Sequence, residues 1–209
     1  MFRINKAEPA FFTINKKKVK LPKIKNAWGD KHIISINSKL RNYILSKEQY
    51  NLCAYCEKEI NSDSLKSNID HFKKRVLFPE ETLNYENLFI SCNNKNRCSN
   101  FKDSNRRKLS KNDYENIINP TLENPSNFFN YLPTGEIYPK SNLDKINKKK
   151  AIFTIEIFQL NEIDLVNERK TIMKSLFYLK NQISKKEVID ILNSYRSFII
   201  NIYNKQLII

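Results

Sequence analysis

Glycine is nearly missing from this sequence of 209 residues, which holds only Gly29 and Gly135. Two isolated glycines cannot build a glycine-rich loop that cradles phosphates, so any ATP hydrolysis must come from a partner. Apolar runs that approach the roughly 20 residues needed to cross a bilayer are also missing. The first residues are charged and lack the continuous apolar segment of a secretory signal. We therefore expect a soluble, cytoplasmic protein with no membrane partner.

Positive charge, in contrast, is abundant. The formal net charge is +15, and residues 1–50 hold twelve Lys and Arg against three acidic residues. Such an excess favours a polyanionic partner, because each phosphate that a cation neutralises releases condensed counterions. A general bias of the composition toward Lys, Asn and Ile explains the charge equally well. Charge alone therefore suggests nucleic acid without establishing it.

Apolar periodicity divides the chain into three segments. Residues 1–50 comprise an extended basic arm up to about residue 30, then a helix over about 33–49, predicted from the spacing of Ile33, Ile36, Leu40 and Ile44. Residues 51–110 hold all the cysteines, and residues 88–90 there are typical of a strand. Residues 111–209 form a helical extension that we interpret as a partner-docking region.

Two helices are predicted within that extension, beyond a short one from Ser110 to about Ile118. The first begins after Asn161 and should bury one face, made of Ile163, Val166, Met173, Leu176 and Phe177. The second is a single final helix whose apolar stripe runs from Val188 to Ile202. Residues 151–160 fit either a strand or a helix.

The four cysteines form two pairs. Cys53 and Cys56 make a CxxC turn, which lets two thiolates converge on one tetrahedral metal ion, whereas Cys92 and Cys98 are separated by five residues. In a cytosolic chain, four cysteines favour a structural zinc site over disulfides. A redox-active CxxC is an alternative that leaves the second pair unexplained. Two unrelated pairs of buried cysteines are the other alternative.

The dipeptide Asp70-His71 lies between the two cysteine pairs. An Asp-His dipeptide is weak evidence by itself, since surface histidines are common. Because the dipeptide lies between the two cysteine pairs, we take it as the candidate catalytic motif. His32 has no such context, and we interpret it as an ordinary residue at a helix start.

The order of these residues resembles that of the zinc-bound HNH (His-Me finger) endonucleases. The shared order is Cys53-x-x-Cys56, Asp70-His71, Asn87-Leu88, Cys92 through Cys98, and Lys102. The sequence is more similar still to the HNH nuclease subunit of retron-type and Septu-type anti-phage systems. That similarity extends over residues 49–57 (QYNLCAYCE), 69–72 (IDHF), 84–92 (NYENLFISC), 98–102 (CSNFK), 118–125 (INPTLENP) and 160–170 (LNEIDLVNERK). These pieces are short, but they are spread over most of the chain, from residue 49 to residue 170, and their order is specific.

The resemblance implies a metal-dependent endonuclease that acts with an ATPase partner subunit. His71 is expected to be the general base, and Asp70 to bind a divalent cation, Mg²⁺ or Mn²⁺, that polarises the scissile phosphate. Asn87 is expected to hold the loop that orients His71, through amide hydrogen bonds to backbone. Basic side chains near the motif are expected to contact phosphates or else to be solvated surface charges: Lys73, Lys74, Arg75, Lys102, Arg106 and Arg107.

One position departs from the family. The family places His or Asn directly after the last cysteine as a ligand of the catalytic cation, and this sequence has Ser99 there. Serine is a poor metal ligand. Asn100, or a water held by Ser99 or Asp103, is expected to take over.

Three functions therefore remain open. The first is a nuclease effector of an anti-phage complex, the second a zinc-stabilised nucleic-acid-binding module without catalysis, and the third an assembly subunit. DNA is the default substrate of HNH enzymes, and structured RNA is compatible with every residue named. The expected fold class is α+β and mostly helical, with a ββα-metal HNH centre and a four-cysteine zinc knuckle between N- and C-terminal helices.

Overall fold

The computed structural model describes residues 1–20, 26–106, 108–179 and 184–204. Helices dominate it, with two small antiparallel sheets. The α-helices are α1 Ala10–Lys18, α2 Lys31–Ile34, α3 Asn37–Tyr43, α4 Cys98–Lys102, α5 Lys145–Ile157, α6 Ile163–Leu179, α7 Lys185–Leu192 and α8 Arg196–Asn204. The strands are β1 Ser67–His71, β2 Leu88–Cys92, β3 Phe129–Tyr131 and β4 Ile137–Pro139. The α+β, mostly helical class is therefore confirmed, and no described helix is long and apolar enough to cross a bilayer.

The N-terminal segment is not the extended arm that the sequence predicted. It contains α1, whose Phe12 is fully buried and contacts the ring of Tyr85. Before α1, the buried Lys6 ammonium pairs with Glu48 at 2.7 Å and also donates to the backbone of Leu88. The apolar periodicity of α1 is weak because few of its residues are buried, so tertiary packing rather than pattern decides its conformation.

The predicted helix over residues 33–49 is present in broken form. Asp30 caps α2 by accepting from the backbone N–H of His32 at 2.8 Å. The chain then turns at residues 35–36, continues as α3, and ends in the π-helical turn Ile44–Glu48. Ile33, Leu40 and Ile44 are buried as their spacing indicated.

A two-stranded antiparallel sheet lies at the centre of the molecule. Its register pairs Ser67 with Cys92 and His71 with Leu88. Successive residues of a strand point to opposite faces, so Asn68 and Asp70 share one face of β1, and Ile69 and His71 share the other. Helix α4 follows β2 in the chain and packs against it. The predicted strand at residues 88–90 is thus confirmed.

The C-terminal extension differs from the prediction in two places. The buried face of α6 is formed by Leu165, Arg169, Met173 and Leu176, whereas Ile163 and Phe177 are exposed. Because the polar Arg169 lies in the middle of this face, the apolar pattern of the sequence did not identify the face correctly. The predicted final helix is two helices, α7 and α8, because Asn193 and Tyr195 adopt positive φ. Residues 151–157 are helical within α5, and Ser110 caps a 3₁₀ turn over Lys111–Asn116.

Two apolar clusters hold these elements together. The larger one joins all three segments of the sequence, since it contains Met1, the four cysteines and Ile202. The smaller one packs α1, α2 and α3 against the sheet through residues such as Phe12 and Leu88. The sheet therefore lies between two cores, and His71 ends the strand at their junction. The predicted boundaries at residues 50 and 110 stay predictions.

Candidate functional site

The four cysteine sulfurs meet at one buried point. Their Sγ atoms all lie within 4.8 Å of one another, with Cys53 and Cys98 separated by 3.7 Å and Cys56 and Cys92 by 3.9 Å. Tetrahedral zinc at a Zn–S distance of about 2.3 Å places sulfurs about 3.8 Å apart, whereas a disulfide needs about 2.05 Å. The four cysteines could therefore hold a metal ion, as the sequence predicted for both pairs.

Backbone geometry brings the sulfurs together. The loop from Cys53 to Glu57 closes through the N–H of Cys53, which donates to Lys58, and the N–H of Glu57, which donates to Cys53. Glu57 and Cys98 both have positive φ, 61° and 56°. The N–H of Cys92 donates to Cys53 Sγ at 3.3 Å, a contact that stabilises a thiolate. The looser second pair thus converges because β2 and α4 pack together.

Charge around the sulfurs suits a cationic centre. Burial raises the pKa of the Cys98 thiol, so four thiolates require positive charge among them. Burial alone would lower the pKa of Arg97, but the neighbouring Cys56, Cys92 and Cys98 raise it above its ordinary value. Arg97 also pairs with Glu162 at 2.6 Å, which joins the cysteine site to the start of α6.

A cleft of about 540 Å³ opens beside β1 and α4. Most of its lining comes from the candidate motif and its neighbours: Asn26, Ala27, Asn68, Ile69, Asp70, His71, Lys74, Arg75, Val76, Pro79, Thr82, Ser99, Asn100 and Asp103. Two predicted site residues, Asn87 and Lys102, are buried behind this lining. The structure therefore brings Asp70, His71 and Asn100 to one open space.

His71 is held from two sides. Its Nε2 lies 2.9 Å from the carbonyl oxygen of Thr82, and its ring meets Trp28 edge-on at a centroid distance of 4.5 Å. A carbonyl oxygen only accepts, so Nε2 carries the hydrogen and Nδ1 of the neutral ring keeps its lone pair. Burial lowers the pKa of His71 to about 4, against the opposing effect of the Thr82 hydrogen bond. The imidazole is therefore neutral at pH 7.

The carboxylate of Asp70 is buried between two donors. The Tyr55 hydroxyl donates to Asp70 Oδ2, and Lys102 Nζ lies 3.3 Å from Asp70 Oδ1. An ionised carboxylate offers about four lone-pair positions, so these two contacts leave about two of them, and Asp70 lines the cleft. The sequence pattern did not predict a role for Tyr55, because Tyr55 occupies one of the two variable positions between Cys53 and Cys56.

Lys102 does not contact the cleft, contrary to the expected phosphate contact. Its side chain is fully buried, and Nζ donates to the carbonyl oxygens of His71 and Phe72 at 2.9 and 3.1 Å. Burial alone would lower the pKa of Lys102, but Asp70 and Asp103 raise it above its ordinary value. The ammonium thus ties α4 to the end of β1, where a phosphate cannot reach it.

Asn87 lies under the loop that follows His71. Its Oδ1 accepts from the backbone N–H of Lys73 at 2.7 Å, and its Nδ2 donates to the carbonyl oxygens of Lys73 and Glu81 at 3.1 Å each. All three partners are backbone atoms of residues 73–81. Asn87 therefore joins the two ends of that loop, and its contribution to catalysis stays a prediction.

The remaining basic candidates differ in their surroundings. Lys73 pairs with Glu81 at 3.3 Å, and Lys74 donates to the carbonyl of Asp103. Arg75 is exposed at the mouth of the cleft, and Arg106 donates to Asn96 Oδ1 at 3.4 Å. Arg107 lies outside the described residues. Arg75 is thus the basic side chain best placed to meet a ligand in the cleft.

The oxygen atoms around the cleft fit a divalent cation. Asp70 and Asp103 offer carboxylates, Asn68 and Asn100 offer amide oxygens, and Ser99 offers a hydroxyl. Hard oxygen ligands of this kind are those that Mg²⁺ and Mn²⁺ prefer. Asn68 was missed by sequence reasoning, although an asparagine two residues before Asp70 in a strand is itself unusual.

The chain is similar to a Septu protein. It is 33% identical over 101 residues to the Septu protein PtuB of Bacillus thuringiensis, a match that covers 46% of this chain and 36% of that protein. The match thus spans about a third of the relative's length. No family model matches the sequence.

Proposed function

We propose that the protein is a metal-dependent HNH endonuclease that hydrolyses phosphodiester bonds in nucleic acid. The observation that carries the proposal is the position of His71, whose Nε2 lies 2.9 Å from the carbonyl oxygen of Thr82 and whose side chain lines a cleft of oxygen ligands. This hydrogen bond favours the neutral tautomer in which Nδ1 accepts a proton. The succession β1, β2, α4 supports a ββα-metal centre. The four converging cysteines support structural zinc as its brace.

The reaction divides among few residues. His71 accepts at Nδ1 the proton of the water that attacks phosphorus, and Trp28 and the Thr82 carbonyl hold the ring in that orientation. Asp70 would hold the divalent cation, which would supply Lewis-acid stabilisation of the phosphate and of the oxygen that leaves as its bond to phosphorus breaks. Tyr55 and Lys102 fix the carboxylate of Asp70. Arg75 contacts a phosphate of the substrate at the mouth of the cleft.

Similarity to a Septu protein supports a role in anti-phage defence. An ATPase partner fits this role, because the sequence holds no glycine-rich phosphate loop of its own. The C-terminal helices are the candidate docking region, with exposed apolar side chains such as Phe177 and Ile191.

A second function, nucleic-acid binding without catalysis, is favoured by two observations. Serine occupies the position of the family's second cation ligand, and the His71 side chain is only 6% exposed. Binding would then rest on Arg75 and the exposed lysines of α1.

Cleavage assays distinguish the two functions. Plasmid DNA, linear DNA and structured RNA are incubated with Mg²⁺ or Mn²⁺, with and without the ATPase partner. His71→Ala should lower the cleavage rate by about 100-fold or more and leave nucleic-acid binding intact. His32→Ala removes the other histidine of the sequence and is the matched control, with wild-type rates expected. Binding without cleavage by the wild type under every condition would show that the second function is correct.

A further inference from the structure

Asn68 occupies the space that a longer side chain at position 99 would fill. The Ser99 hydroxyl donates to Asn68 Oδ1 at 3.2 Å, across the gap between α4 and β1. Serine ends at this hydroxyl, one bond from Cβ, so it cannot extend toward the strand as an Asn or His would. The amide of Asn68 extends from the strand toward α4 instead. A short residue on the helix is thus matched by a long polar residue on the strand.

Asn68 also shares the face of β1 that carries Asp70. Residues two apart in a strand point the same way, and both side chains line the cleft beside Ser99. Asn68 Nδ2 donates to Asn100 Oδ1 at 3.1 Å and to Asn93 Oδ1 at 3.4 Å, which leaves Oδ1 as the atom turned toward Ser99. An amide oxygen accepts two bonds, and Ser99 uses one.

Asn100 and Asn68 each keep one acceptor position on the amide oxygen, because Asn100 Oδ1 accepts from Asn68 and Asn68 Oδ1 accepts from Ser99. These hydrogen bonds therefore do not distinguish the two residues as replacement ligands. Their positions do, since Asn68 shares the face of β1 that carries Asp70, whereas Asn100 lies on α4.

We infer that Asn68 Oδ1 is the second protein ligand of the catalytic cation, in place of the residue at position 99. This inference rests on the proposed nuclease function. The cation would bind Asp70 and Asn68 from one strand, with Ser99 holding the amide in orientation. The expected ion is Mg²⁺ or Mn²⁺, since the ligands are a carboxylate and an amide oxygen.

Mn²⁺ binding to the zinc-loaded full chain tests the inference without a cleavage assay. Free Mn²⁺ is followed by electron paramagnetic resonance, and zinc content is measured in parallel to confirm that the cysteine site is intact. Asp70→Asn identifies the site. Asn68→Ala should raise the Kd for Mn²⁺ by roughly 10- to 100-fold. Asn127→Ala, at an exposed asparagine that does not line the cleft, should leave the Kd unchanged.

Asn68→Asp separates a ligand from a residue that merely orients Asn100. A carboxylate at position 68 keeps an oxygen for the cation but loses the amide donor. If residue 68 is a ligand, Asn68→Asp should bind Mn²⁺ more tightly than Asn68→Ala and at least as tightly as the wild type. The double exchange Asn68→Ser with Ser99→Asn should restore binding, because it returns the long side chain to the helix.

The outcomes are distinguishable from those of the nuclease proposal. Unchanged Mn²⁺ affinity in Asn68→Ala would overturn the inference, and so would equal weakening of Mn²⁺ binding by Asn68→Asp and Asn68→Ala. If the wild type cleaves nucleic acid in either case, the nuclease proposal still stands. Loss of Mn²⁺ affinity in Asn100→Ala alone makes Asn100 the ligand, which also overturns it. If Mn²⁺ binding depends on Asn68 but the wild type cleaves no nucleic acid, the nuclease proposal is refuted and the cation site is supported. A wild type with no Mn²⁺ site at Asp70 refutes both.

Discussion

Protonation of His71 can be followed through Trp28, the sole tryptophan of the sequence. The two rings meet edge-on at 4.5 Å between centroids. An imidazolium quenches the fluorescence of an indole in contact with it more strongly than neutral imidazole does. Emission at 350 nm should therefore fall as His71 gains its proton.

The pH at which this occurs follows from burial. The pKa of His71 is lowered from 6.5 to about 4, because the charged ring would lose its hydration. The unfolded chain then binds more protons than the folded chain between these two values. The His71 contribution to folding stability is thus fully present above pH 6.5 and is lost as the pH falls toward 4. At 1.36 kcal/mol per pH unit, the His71 contribution is about 3 kcal/mol.

The assay is a fluorescence titration from pH 8 to pH 3.5 without added divalent cation, with circular dichroism to confirm that the chain stays folded. A midpoint near pH 4 is expected in the wild type. His71→Gln should remove the transition, and His32→Gln should retain it.

A midpoint at or above pH 6.5 would refute the reasoning, because it would mean that His71 is solvated or paired with Asp70 in its charged form. A transition near pH 4 that survives in His71→Gln would assign the signal to another group.

Three further predictions concern single positions. Metal analysis of the wild type should find about one zinc ion per chain, and Cys92→Ser should abolish it, since three thiolates leave the tetrahedral site incomplete. Asn87→Ala removes three partly buried hydrogen bonds to backbone and should lower the free energy of unfolding in urea by about 2–3 kcal/mol. Gly135→Ala places a Cβ at positive φ, 2.3 Å from the carbonyl oxygen of Val166, and should destabilise by about 2 kcal/mol or more.

Each of these has a contrary result and a control. Wild-type zinc content in Cys92→Ser would mean that the four sulfurs do not share one ion. Asn84→Ala, on the exposed side of the same turn, should cost less than Asn87→Ala, and equal losses would contradict the loop-joining role of Asn87. Gly29→Ala meets only the movable side chain of Asn26, so equal destabilisation at both glycines would contradict the backbone clash at Gly135.

The spacing of residues in the sequence correctly predicted those structural features that depend on residues close together in the chain. Spacing alone identified the cysteine cluster, the strand at residues 88–90, and the burial of Ile33, Leu40 and Ile44. These features follow from ligand geometry and from the periods of regular structure.

What the sequence could not predict depends on contacts across the fold. Lys102 looked like a surface cation, and only the packing of α4 turns it toward backbone carbonyls. Arg169 interrupted an otherwise apolar face, and α1 gains its stability from Tyr85, far along the chain. Asn68 lies outside the motif, and its contact with Ser99 exists only where helix and strand meet.

The residues flanking the cysteines are joined to the last helices. Glu57 accepts from the backbone N–H groups of Tyr195 and Ser197, and Arg97 pairs with Glu162. Lys58 pairs with Glu168 at 2.5 Å.

Removing the last helices to test partner docking would therefore take the Ser197 N–H donor from the Glu57 carboxylate and the Tyr195 N–H donor from the Glu57 carbonyl oxygen, at a residue that is only 2% exposed. Loss of the partner after such a deletion would be indistinguishable from collapse of the cysteine site. Substitutions of outward-facing side chains, such as Ile191→Ser, keep that scaffold whole and make association measurable by itself. The packing of the cysteine site against the last helices therefore determines which substitutions can test partner docking.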